Sequence, residues 1–422
     1  MIVMGGIIGS GIFMNPHVVA EAVHSPAAIL GAWAVGGLIA LAGAFIYAEL
    51  AALRPQVGGQ YAYIREALHP MLAFMYGWTL LLVVQTGGMA AVAVTFARYF
   101  IELSQTAIND RVLAASALAV LTVVNCFGVR AGGTLQSVLM VLKIAAIVAL
   151  IGFGLSTGNH AASSGASPIG DRSAELTAFG AALVPVLFAY GGWQTANFIA
   201  GEIREPRKNL PRALVLGVIG VVLLYLAVNY VCVSVLGVDE LAATKTPASE
   251  VMRLALGEKG SRLIAVGIAV STLGFLSQGM LTAPRVYFAM ASDGLFFKRV
   301  AWLHPRTRVP VVAIVAQGSL AIVIALAGRY EQILNYVVSI DSIFFGVTAA
   351  CLFALRRRSA TDGLMKNGLK VSAVVIVLFI AAEWLVAASA IYKDPRNSAI
   401  GVGILLAGIP VYLFWRRRLE RG

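Results

Sequence analysis

Apolar stretches long enough to cross a lipid bilayer follow one another along almost the whole chain. A helix of about 20 apolar residues crosses the ~30 Å hydrocarbon core, and backbone groups in lipid must find partners within the spanning structure. The sequence therefore predicts an all-α membrane protein with twelve transmembrane helices. The predicted spans lie near residues 2–21, 27–53, 72–101, 112–128, 135–156, 177–201, 211–236, 262–290, 309–328, 332–355, 370–391 and 398–416.

Composition and loop lengths agree with this class. Of the 422 residues, 59% are hydrophobic and only 12% are charged, whereas a soluble protein carries about 25% charged residues. Only the connections 157–176 and 237–261 are longer than a turn. The first is interpreted as a flexible surface loop, and the second is predicted to contain a short interfacial helix near 248–256. The sequence therefore has no room for a soluble catalytic domain.

The basic residues are distributed unevenly across the predicted topology. With twelve spans and the N-terminus inside, 21 of the 32 Lys and Arg residues fall on the inner side. This excess is the signal that orients membrane proteins, so both termini are predicted to be cytoplasmic. We expect the protein in the plasma membrane, and its short loops favour a bacterial inner membrane. No folded domain combines a basic face with aromatic residues, so nucleic-acid binding is not expected despite the net charge of +12.

Residues for metal, redox or hydrolytic chemistry are not clustered in the sequence. Cys126, Cys232 and Cys351 lie in apolar spans without metal-ligand spacing, and neither an HExxH nor a CxxC motif occurs. We therefore expect no metal, no cofactor and no enzyme activity. The opening apolar run lacks a basic region ahead of it and is interpreted as a span rather than a signal peptide. The chain begins directly with this span, which leaves a longer native N-terminus open.

Two spans carry glycine-rich interruptions at corresponding places. "GGIIGSGIF" lies in the first span and "FAYGGWQTAN" in the sixth. Paired interruptions in two halves of a chain point to the binding site of an inverted-repeat transporter. The sequence thus predicts a five-plus-five inverted repeat with broken first and sixth helices. Its units are residues 1–156, residues 177–355 and an accessory pair of helices in residues 370–416.

A break of this kind exposes backbone groups of opposite polarity. Unwinding at Gly9, Ser10 and Gly11 frees the N–H groups of the following half-helix, whose positive end favours a carboxylate. The ends of the preceding half-helices expose carbonyl groups, which favour an ammonium. A zwitterion matches both. Close packing of small residues between helices is the alternative explanation for these glycines.

Four segments together resemble the amino acid–polyamine–organocation superfamily. They are "GGIIGSGIF", "YAELAALRPQVGGQYAYIREAL", "FAYGGWQTANFIAGEIREPRKNLPRAL" and "LTAPRVYFAMASDGLFF". The sequence is most similar to the L-type amino acid transporters and their bacterial homologues. This resemblance extends from the first span to the last. It implies amino acid transport by alternating access through the twelve-helix inverted-repeat fold.

The resemblance also implies roles for residues at the breaks. The family binds the substrate carboxylate at the positions of Gly9, Ser10 and Gly11, and the amino group at carbonyls of both broken helices. An aromatic gate of the family matches Phe188, for which ordinary helix packing is the alternative. The positions that match the amino-group carbonyls are Ile7, Phe188, Ala189 and Gly191.

Gln194 is the position from which we predict substrate charge. The matching position is acidic in the family's arginine–agmatine exchangers, whereas a neutral amide here does not compensate a cationic side chain. The sequence therefore predicts transport of neutral amino acids. A polyamine or cationic amino acid carrier of the same fold is the alternative, and a channel or ion-coupled symporter is a further one.

Lys143 lies about eight residues into the fifth span, where a charge normally faces a partner or a cavity. In the resembling branch, a lysine at this place occupies the site that sodium fills in sodium-coupled relatives. It would tether the first and eighth helices through carbonyls and hydroxyls, with Ser271, Thr272 and Ser277 as candidates, which predicts sodium-independent transport. A snorkelling side chain is the alternative. Because burial changes lysine protonation, proton coupling stays open beside exchange.

Further polar residues of the spans have weaker signals. Asn335 and Tyr336 match positions that help to close the outer path in the family, although Tyr336 also fits an interfacial aromatic. Glu49 is expected to reach a loop amide or Arg54. Glu383 lies in an accessory helix, where an oligomer contact or a lipid-facing protonated form competes with a role in transport.

The sequence differs from one branch of the family in the loop after the third span. Animal L-type transporters are linked there to a glycoprotein through a cysteine, whereas "ELSQTAINDR" contains none. We therefore expect no disulfide-linked partner subunit. The expected partners are an amino acid, as the small-molecule substrate, and the lipid bilayer. The sequence leaves open which amino acid is carried, the direction of flux and the oligomeric state.

Overall fold

The computed structural model describes residues 2–127, 129–158, 172–327, 330–361 and 370–419. Within these ranges, the side chains of 129–137, 172–174, 330–332, 334–335 and 359–361 are outside the description. Of the predicted loop 157–176, residues 159–171 lie outside the described residues. The α-helices are α1 Ile2–Ile7, α2 Gly11–Val23, α3 Pro26–Leu53, α4 Gln60–Ala67, α5 Pro70–Thr79, α6 Gln85–Ser104, α7 Asp110–Cys126, α8 Val129–Ser156, α9 Arg172–Tyr190, α10 Pro206–Ala243, α11 Pro247–Thr282, α12 Pro284–Ser292, α13 Val311–Ala327, α14 Tyr330–Thr361, α15 Ala373–Lys393 and α16 Pro395–Leu419.

Nine helical segments of the described residues are long and apolar enough to cross a membrane, and the 17-residue α13 is a shorter apolar helix. The chain is therefore a helical multi-pass membrane protein. The remaining two predicted spans correspond to the interrupted pair α1 and α2 and to α7, which has 17 residues. The count of twelve stays a prediction.

The first predicted span is interrupted where its glycines lie. α1 ends at Ile7 and α2 begins at Gly11, with residues 8–10 outside either helix. In the sixth span, α9 ends at Tyr190 and a 3₁₀ helix follows over Trp193–Glu202. Gly192 joins them with a φ of 104°, a conformation that residues with a side chain rarely adopt. The two interruptions therefore divide their spans into half-helices.

Close contacts hold the two broken helices together. A Cβ atom on Gly11 would lie 2.5 Å from the Cα of Ala189, so only glycine permits this approach. The Asn15 amide donates a hydrogen bond of 2.6 Å to the carbonyl oxygen of Pro185 on α9. This bond joins a buried side chain of α2 to the backbone of α9, next to the break in each span.

A cluster of aromatic rings lies beside the first interruption. Trp33, Tyr190 and Tyr225 pack with ring centroids 5.1–5.8 Å apart. The Tyr190 hydroxyl donates to the carbonyl of Trp33 at 3.1 Å, and the Tyr225 hydroxyl donates to that of Ile7 at 3.2 Å. Since buried hydroxyls require partners, these bonds hold α9 against α3 and α10 against the end of α1.

Two helices depart from the predicted spans. The third span contains one π-helical segment, Leu80–Val84, between α5 and α6, and such segments occur frequently at functional sites. The eighth span begins earlier than predicted, because α11 starts at Pro247 and bends at Gly257, where φ is 67°. Its first part covers the predicted interfacial helix near 248–256. The short helix α4 follows α3 and was not among the predicted elements.

Candidate functional site

A cavity of about 90 Å³ lies where the two interruptions meet. One water requires about 10–15 Å³ by this measure, so the space is large enough for several waters or a small solute. Walls come from α1 and α2, from α6 and α9, and from α11, α14 and α15. The predicted site residues that line it are Ile7, Gly9, Ser10, Gly11, Phe188, Ala189, Gly191 and Gln194.

The start of α2 presents hydrogen-bond donors to the cavity. The carbonyl of Ser10 already accepts the N–H groups of Phe13 and Met14, at 3.0 and 3.1 Å, as the first bonds of the helix. The first N–H groups of a helix have no intrahelical partner and carry its positive end. Ser10 is 1% exposed, and its hydroxyl has no hydrogen-bond partner among the described residues. This end can therefore bind a carboxylate through N–H and hydroxyl donors.

The end of α1 presents carbonyl groups, some of which already have partners. The carbonyl oxygen of Ile7 accepts the Tyr225 hydroxyl at 3.2 Å. A carbonyl oxygen has two lone pairs, so one remains for an ammonium. Gly192 lies against α1 so closely that a Cβ atom there would be 2.0 Å from the carbonyl oxygen of Gly6. The cavity therefore has a donor-rich and an acceptor-rich end on the same broken helix.

The turn of the sixth span is stabilised by its own side chains. Gln194 is 5% exposed, and its Oε1 accepts the N–H of Gly192 at 2.9 Å. The hydroxyl of Thr195 donates to the Gly192 carbonyl at 2.7 Å. The N–H of Gly191 donates to the carbonyl of Phe188 at 3.2 Å, which leaves that oxygen one lone pair. Gln194 is therefore both a wall of the cavity and a support of the turn.

Lys143 links α8 to the end of α1. Its Nζ donates to the carbonyl oxygen of Ile8 at 2.9 Å and lies 3.5 Å from that of Gly5. The side chain is fully buried, so it does not snorkel to an interface. Its stem packs against α11, since a Cβ atom on Gly274 would lie 3.2 Å from the Lys143 Cε. The ammonium thus satisfies carbonyls that the break leaves without helical partners.

The predicted hydrogen bonds from Lys143 to the hydroxyls of Ser271 and Thr272 are not formed. Thr272 donates to the carbonyls of Ile268 and Ala269 within α11, and the Ser271 hydroxyl has no partner among the described residues. The ammonium of Lys143 donates instead to the carbonyl oxygens of Gly5 and Ile8. Local bonding to the preceding helical turn takes up hydroxyls in this way.

The three predicted gate residues have different positions. Phe188 is half-buried and lines the cavity. Tyr336 instead packs against α6, where its Cε2 would be 3.2 Å from a Cβ atom on Gly87. The side chain of Asn335 lies outside the described residues. The structure therefore brings Phe188, but not Tyr336, to the cavity.

Several cavity residues were missed or misjudged at the level of sequence. Glu383 is 3% exposed and lines the cavity together with Asp341 and Ser342, so of the alternatives left open by the sequence, a lipid-facing side chain does not apply. The signal was a carboxyl group in an apolar span, which usually faces a cavity or partner. The amides of Gln85 and Gln278 also line the cavity.

Ion pairs join elements at the end of the bundle where α4 lies, which we call the α4 end. Arg285 on α12 pairs with Glu202 at 3.1 Å, and the N–H of Gly58 donates to the carbonyl of Phe198 at 3.0 Å. The Tyr63 hydroxyl donates to Asn197 at 3.2 Å. These bonds connect α12 and the segment at the start of α4 to the 3₁₀ half of the sixth span.

Two further clusters stabilise the α4 end. Tyr61 donates to Asp293 at 2.7 Å, and Arg65 pairs with the same carboxylate. Burial, followed by the neighbouring Asp293 carboxylate, raises the pKa of Tyr61, so its hydroxyl remains a donor.

Glu49 accepts two bonds from Arg356, at 2.7 and 2.6 Å, and one from the N–H of Val371 at 2.7 Å. The predicted loop amide is thus found. Arg54 pairs with Glu66 instead.

Metal-binding clusters of three or more His, Cys, Asp or Glu residues do not occur among the described residues. Cys126, Cys232 and Cys351 are free thiols. The site therefore consists of backbone poles, amides, carboxyl groups and apolar walls, which together can bind a small polar solute.

The chain is similar to known proteins over nearly its whole length. A family model described as "Amino acid permease" matches residues 1–415. The serine/threonine exchanger SteT of Bacillus subtilis (strain 168) is 30% identical over 99% of this chain and 95% of its own length. The large neutral amino acids transporter small subunit 2 of Homo sapiens is 28% identical over 99% of this chain and 79% of its own length.

A third relative broadens the range of similar proteins. The b(0,+)-type amino acid transporter 1 of Mus musculus is 27% identical over 100% of this chain and 88% of its own length. These relatives are transporters and not enzymes, and the family match covers nearly the whole chain. The resemblance seen in the sequence motifs is thereby confirmed: the chain belongs to the amino acid permease family of the amino acid–polyamine–organocation superfamily.

Proposed function

We propose that the protein is a secondary transporter of neutral amino acids that works by alternating access. The observation that carries the proposal is the cavity between the two interruptions, which presents donors at Ser10 and Gly11 and an acceptor at Ile7. A zwitterion would place its carboxylate at the start of α2. Its ammonium would lie at the carbonyls of Ile7 and Phe188, each of which has a free lone pair.

Substrate charge is proposed from Gln194. Its amide is neutral and its oxygen accepts the Gly192 N–H, so it offers no negative charge to a cationic side chain. Two of the relatives are named for serine and threonine or for large neutral amino acids. Ala189 and Gly191 complete this part of the wall.

Sodium independence is proposed from Lys143. In a sodium-coupled mechanism, a bound cation would neutralise the exposed carbonyls at the end of α1. Here an ammonium already donates to the carbonyl of Ile8, and a second cation in the same place would be repelled. The break is therefore held by a permanent part of the chain rather than by an ion that dissociates in each cycle.

The membrane arrangement is proposed from sequence and contacts together. Twelve helices would form repeats in residues 1–156 and 177–355, followed by accessory helices in residues 370–416. With both termini cytoplasmic in a bacterial plasma membrane, the α4 end would face the cytoplasm, where most basic residues lie. We propose that the protein functions without a disulfide-linked subunit or cofactor.

Access to the site is proposed to alternate between two closures. The inner closure would consist of the contacts at the α4 end, including the Arg285–Glu202 pair. Phe188 would cover the occupied cavity, and Asn335 and Tyr336 would act in the outer path, as their positions in the family imply. Substrate binding would change the relative stability of these states, as differential affinity requires.

A polyamine or cationic amino acid carrier is the second candidate. Asp341 and Glu383 line the cavity, and carboxyl groups are the partners that a cationic side chain requires. However, one oxygen of each is buried and lies out of contact with solvent, which favours a neutral substrate in the present conformation.

The test is transport by purified protein in liposomes, assayed for each of the twenty amino acids with and without internal substrate. We expect neutral amino acids to enter and preloaded substrate to accelerate their uptake. Replacement of sodium by choline at fixed potential should leave uptake unchanged. Competition by putrescine without competition by neutral amino acids would identify the second candidate, and uptake without acceleration by internal substrate would identify a channel.

A further inference from the structure

Two carboxyl groups belong to the wall of the cavity. Asp341 lies on α14 and Glu383 on α15, and both line the cavity together with Ser342. The two carboxyl groups interact electrostatically, and Ser342 is a hydrogen-bonding neighbour of Glu383. Neither acid has a part in the zwitterion binding proposed above. Their placement therefore calls for a separate function.

Both carboxyl groups have an oxygen that lacks a partner. Glu383 is 3% exposed, and its Oε2 is buried without a hydrogen bond among the described residues. The Oδ1 of Asp341 is buried in the same way. An ionised carboxylate without a partner is strongly unfavourable in such a place, whereas the neutral acid is tolerated. Two adjacent carboxyl groups also repel each other when both are ionised.

No basic side chain neutralises the pair from the described cavity wall. The titratable groups that face the two acids are the phenols of Tyr47 on α3 and Tyr76 on α5, and the wall also contains Tyr190 on α9. Lys143 does not line the cavity, and it donates to the carbonyls of α1 instead. A bound proton would therefore supply the positive charge that neutralises one of the two carboxylates.

The size of the accessible space distinguishes a proton from a larger cation. The two unpartnered oxygens expose less than 1 Å² each to a water-sized probe. An organic ammonium or guanidinium group, which is bulkier than water, therefore does not contact these two oxygens in this conformation. Asp341 as a whole is only partly buried and lines the cavity, so we expect its other carboxyl oxygen to exchange the proton with cavity water.

We propose that Asp341 and Glu383 carry one proton with the substrate in each transport cycle. This inference rests on the proposed function and adds net proton symport to it. On one side of the membrane, an O–H bond forms as cavity water transfers a proton to the pair. On the other side, that bond breaks and the proton returns to water. A zwitterion adds no net charge, so each cycle moves one positive charge.

The experiment measures proton entry and amino acid exchange in the same preparation. Liposomes with trapped pyranine receive L-serine or L-leucine, a small and a large zwitterion, at a clamped membrane potential. For the unaltered protein, we expect substrate-dependent acidification inside and accumulation driven by an inward proton gradient. Counterflow of labelled amino acid without a proton gradient gives the rate of exchange. The ratio of proton-driven uptake to counterflow is the readout.

Substitutions of the pair should lower this ratio. Glu383→Gln and Asp341→Asn keep the side-chain shape but remove the exchangeable acid, and we expect each to reduce the ratio about tenfold or more, because a single group is then left to bind the proton. Glu383→Asp restores a carboxyl group and should recover part of the proton entry. Glu102→Gln is the matched control, since Glu102 is an acid of α6 that does not line the cavity, and its ratio should not change.

The outcomes separate this inference from the proposed function. Counterflow without substrate-dependent proton entry in the unaltered protein would overturn the inference and leave the transport function intact. An unchanged ratio in Glu383→Gln and Asp341→Asn would also overturn it. If these variants lost preference for cationic substrates while the ratio of proton-driven uptake to counterflow stayed unchanged, the two acids would instead recognise the substrate side chain. Absence of counterflow for every amino acid would reject the proposed function itself.

Discussion

The ammonium of Lys143 on α8 donates a hydrogen bond of 2.9 Å to the carbonyl oxygen of Ile8, the residue that follows the last turn of α1. A second α1 carbonyl, that of Gly5, lies 3.5 Å from the same nitrogen. A helix end exposes carbonyls without intrahelical partners, and burial makes such groups costly. A side chain from a distant span thus allows the first helix to stop in the middle of the protein.

Lys143→Met should therefore lower transport strongly. Removing a charged donor from buried carbonyls costs about 1–3 kcal/mol, which corresponds to about 5- to 150-fold in the population of the binding-competent state. Initial uptake in liposomes measures the effect, with Lys259→Met at an exposed position of α11 as the control. Normal uptake by Lys143→Met, or a sodium requirement of the unaltered protein, would contradict the assigned role.

Gln194→Glu should shift preference toward cationic amino acids. A glutamate retains an oxygen that can accept the Gly192 N–H, so the turn should persist. It adds a negative charge to the cavity wall, and a hydrogen bond to a charged group of this kind is worth about 1–3 kcal/mol, or about 5- to 150-fold in relative affinity. Competition of arginine and lysine against a neutral substrate measures the shift. Unchanged selectivity in a folded variant would disprove the specificity argument.

Gly192→Ala should abolish transport and reduce stability. Its φ of 104° is unfavourable for alanine, and the new Cβ would lie 2.0 Å from the carbonyl oxygen of Gly6. Backbone strain of this kind costs about 1–3 kcal/mol before any relief of the contact. Thermal unfolding in detergent and uptake in liposomes test the prediction.

The matched control for this substitution is Gly152→Ala. Gly152 lies in α8, and a Cβ atom there would contact nothing within 4 Å. Alanine is the better helix former by about 1 kcal/mol, so stability should be unchanged or slightly higher. Equal behaviour of the two variants would show that the turn at Gly192 has no special requirement.

Glu202→Gln should open the α4 end more often. Glu202 is half-exposed, with 50% of its side chain accessible, and pairs with Arg285, which is 8% exposed. Pairs with an exposed partner are worth about 0.2–1 kcal/mol, so we expect an increase of about threefold in the open population. The rate at which an impermeant thiol reagent labels Thr282→Cys from the α4 side, in a background without native cysteines, measures that population.

Glu205→Gln controls for the loss of one surface carboxylate in the same region. Glu205 directly precedes α10 and pairs with Lys208 in the first turn of that helix, and both side chains are mostly exposed. Labelling should stay unchanged in this variant. If Glu202→Gln behaved in the same way, the Arg285–Glu202 pair would not contribute to closure.

The class of the protein and the location of its interruptions followed from local properties of the chain. Hydropathy along the sequence indicates membrane helices because lipid requires apolar surfaces wherever the chain crosses it. Glycine and polar residues within such spans mark weak points, and α1 ends at Ile7 with α2 beginning at Gly11 in the region expected. The helix predicted near 248–256 is present, but as the first part of α11 and not as a separate element.

The sequence by itself determined the membrane class, the family and the residues of the two interruptions. Only the tertiary structure decided that Glu383 lies in the cavity wall, that Arg285 pairs with Glu202, and that Lys143 donates to carbonyls of α1. The reason is physical. In a bilayer, the lipid-facing and protein-facing sides of a helix are both apolar, so the sequence pattern only weakly records how each helix is rotated.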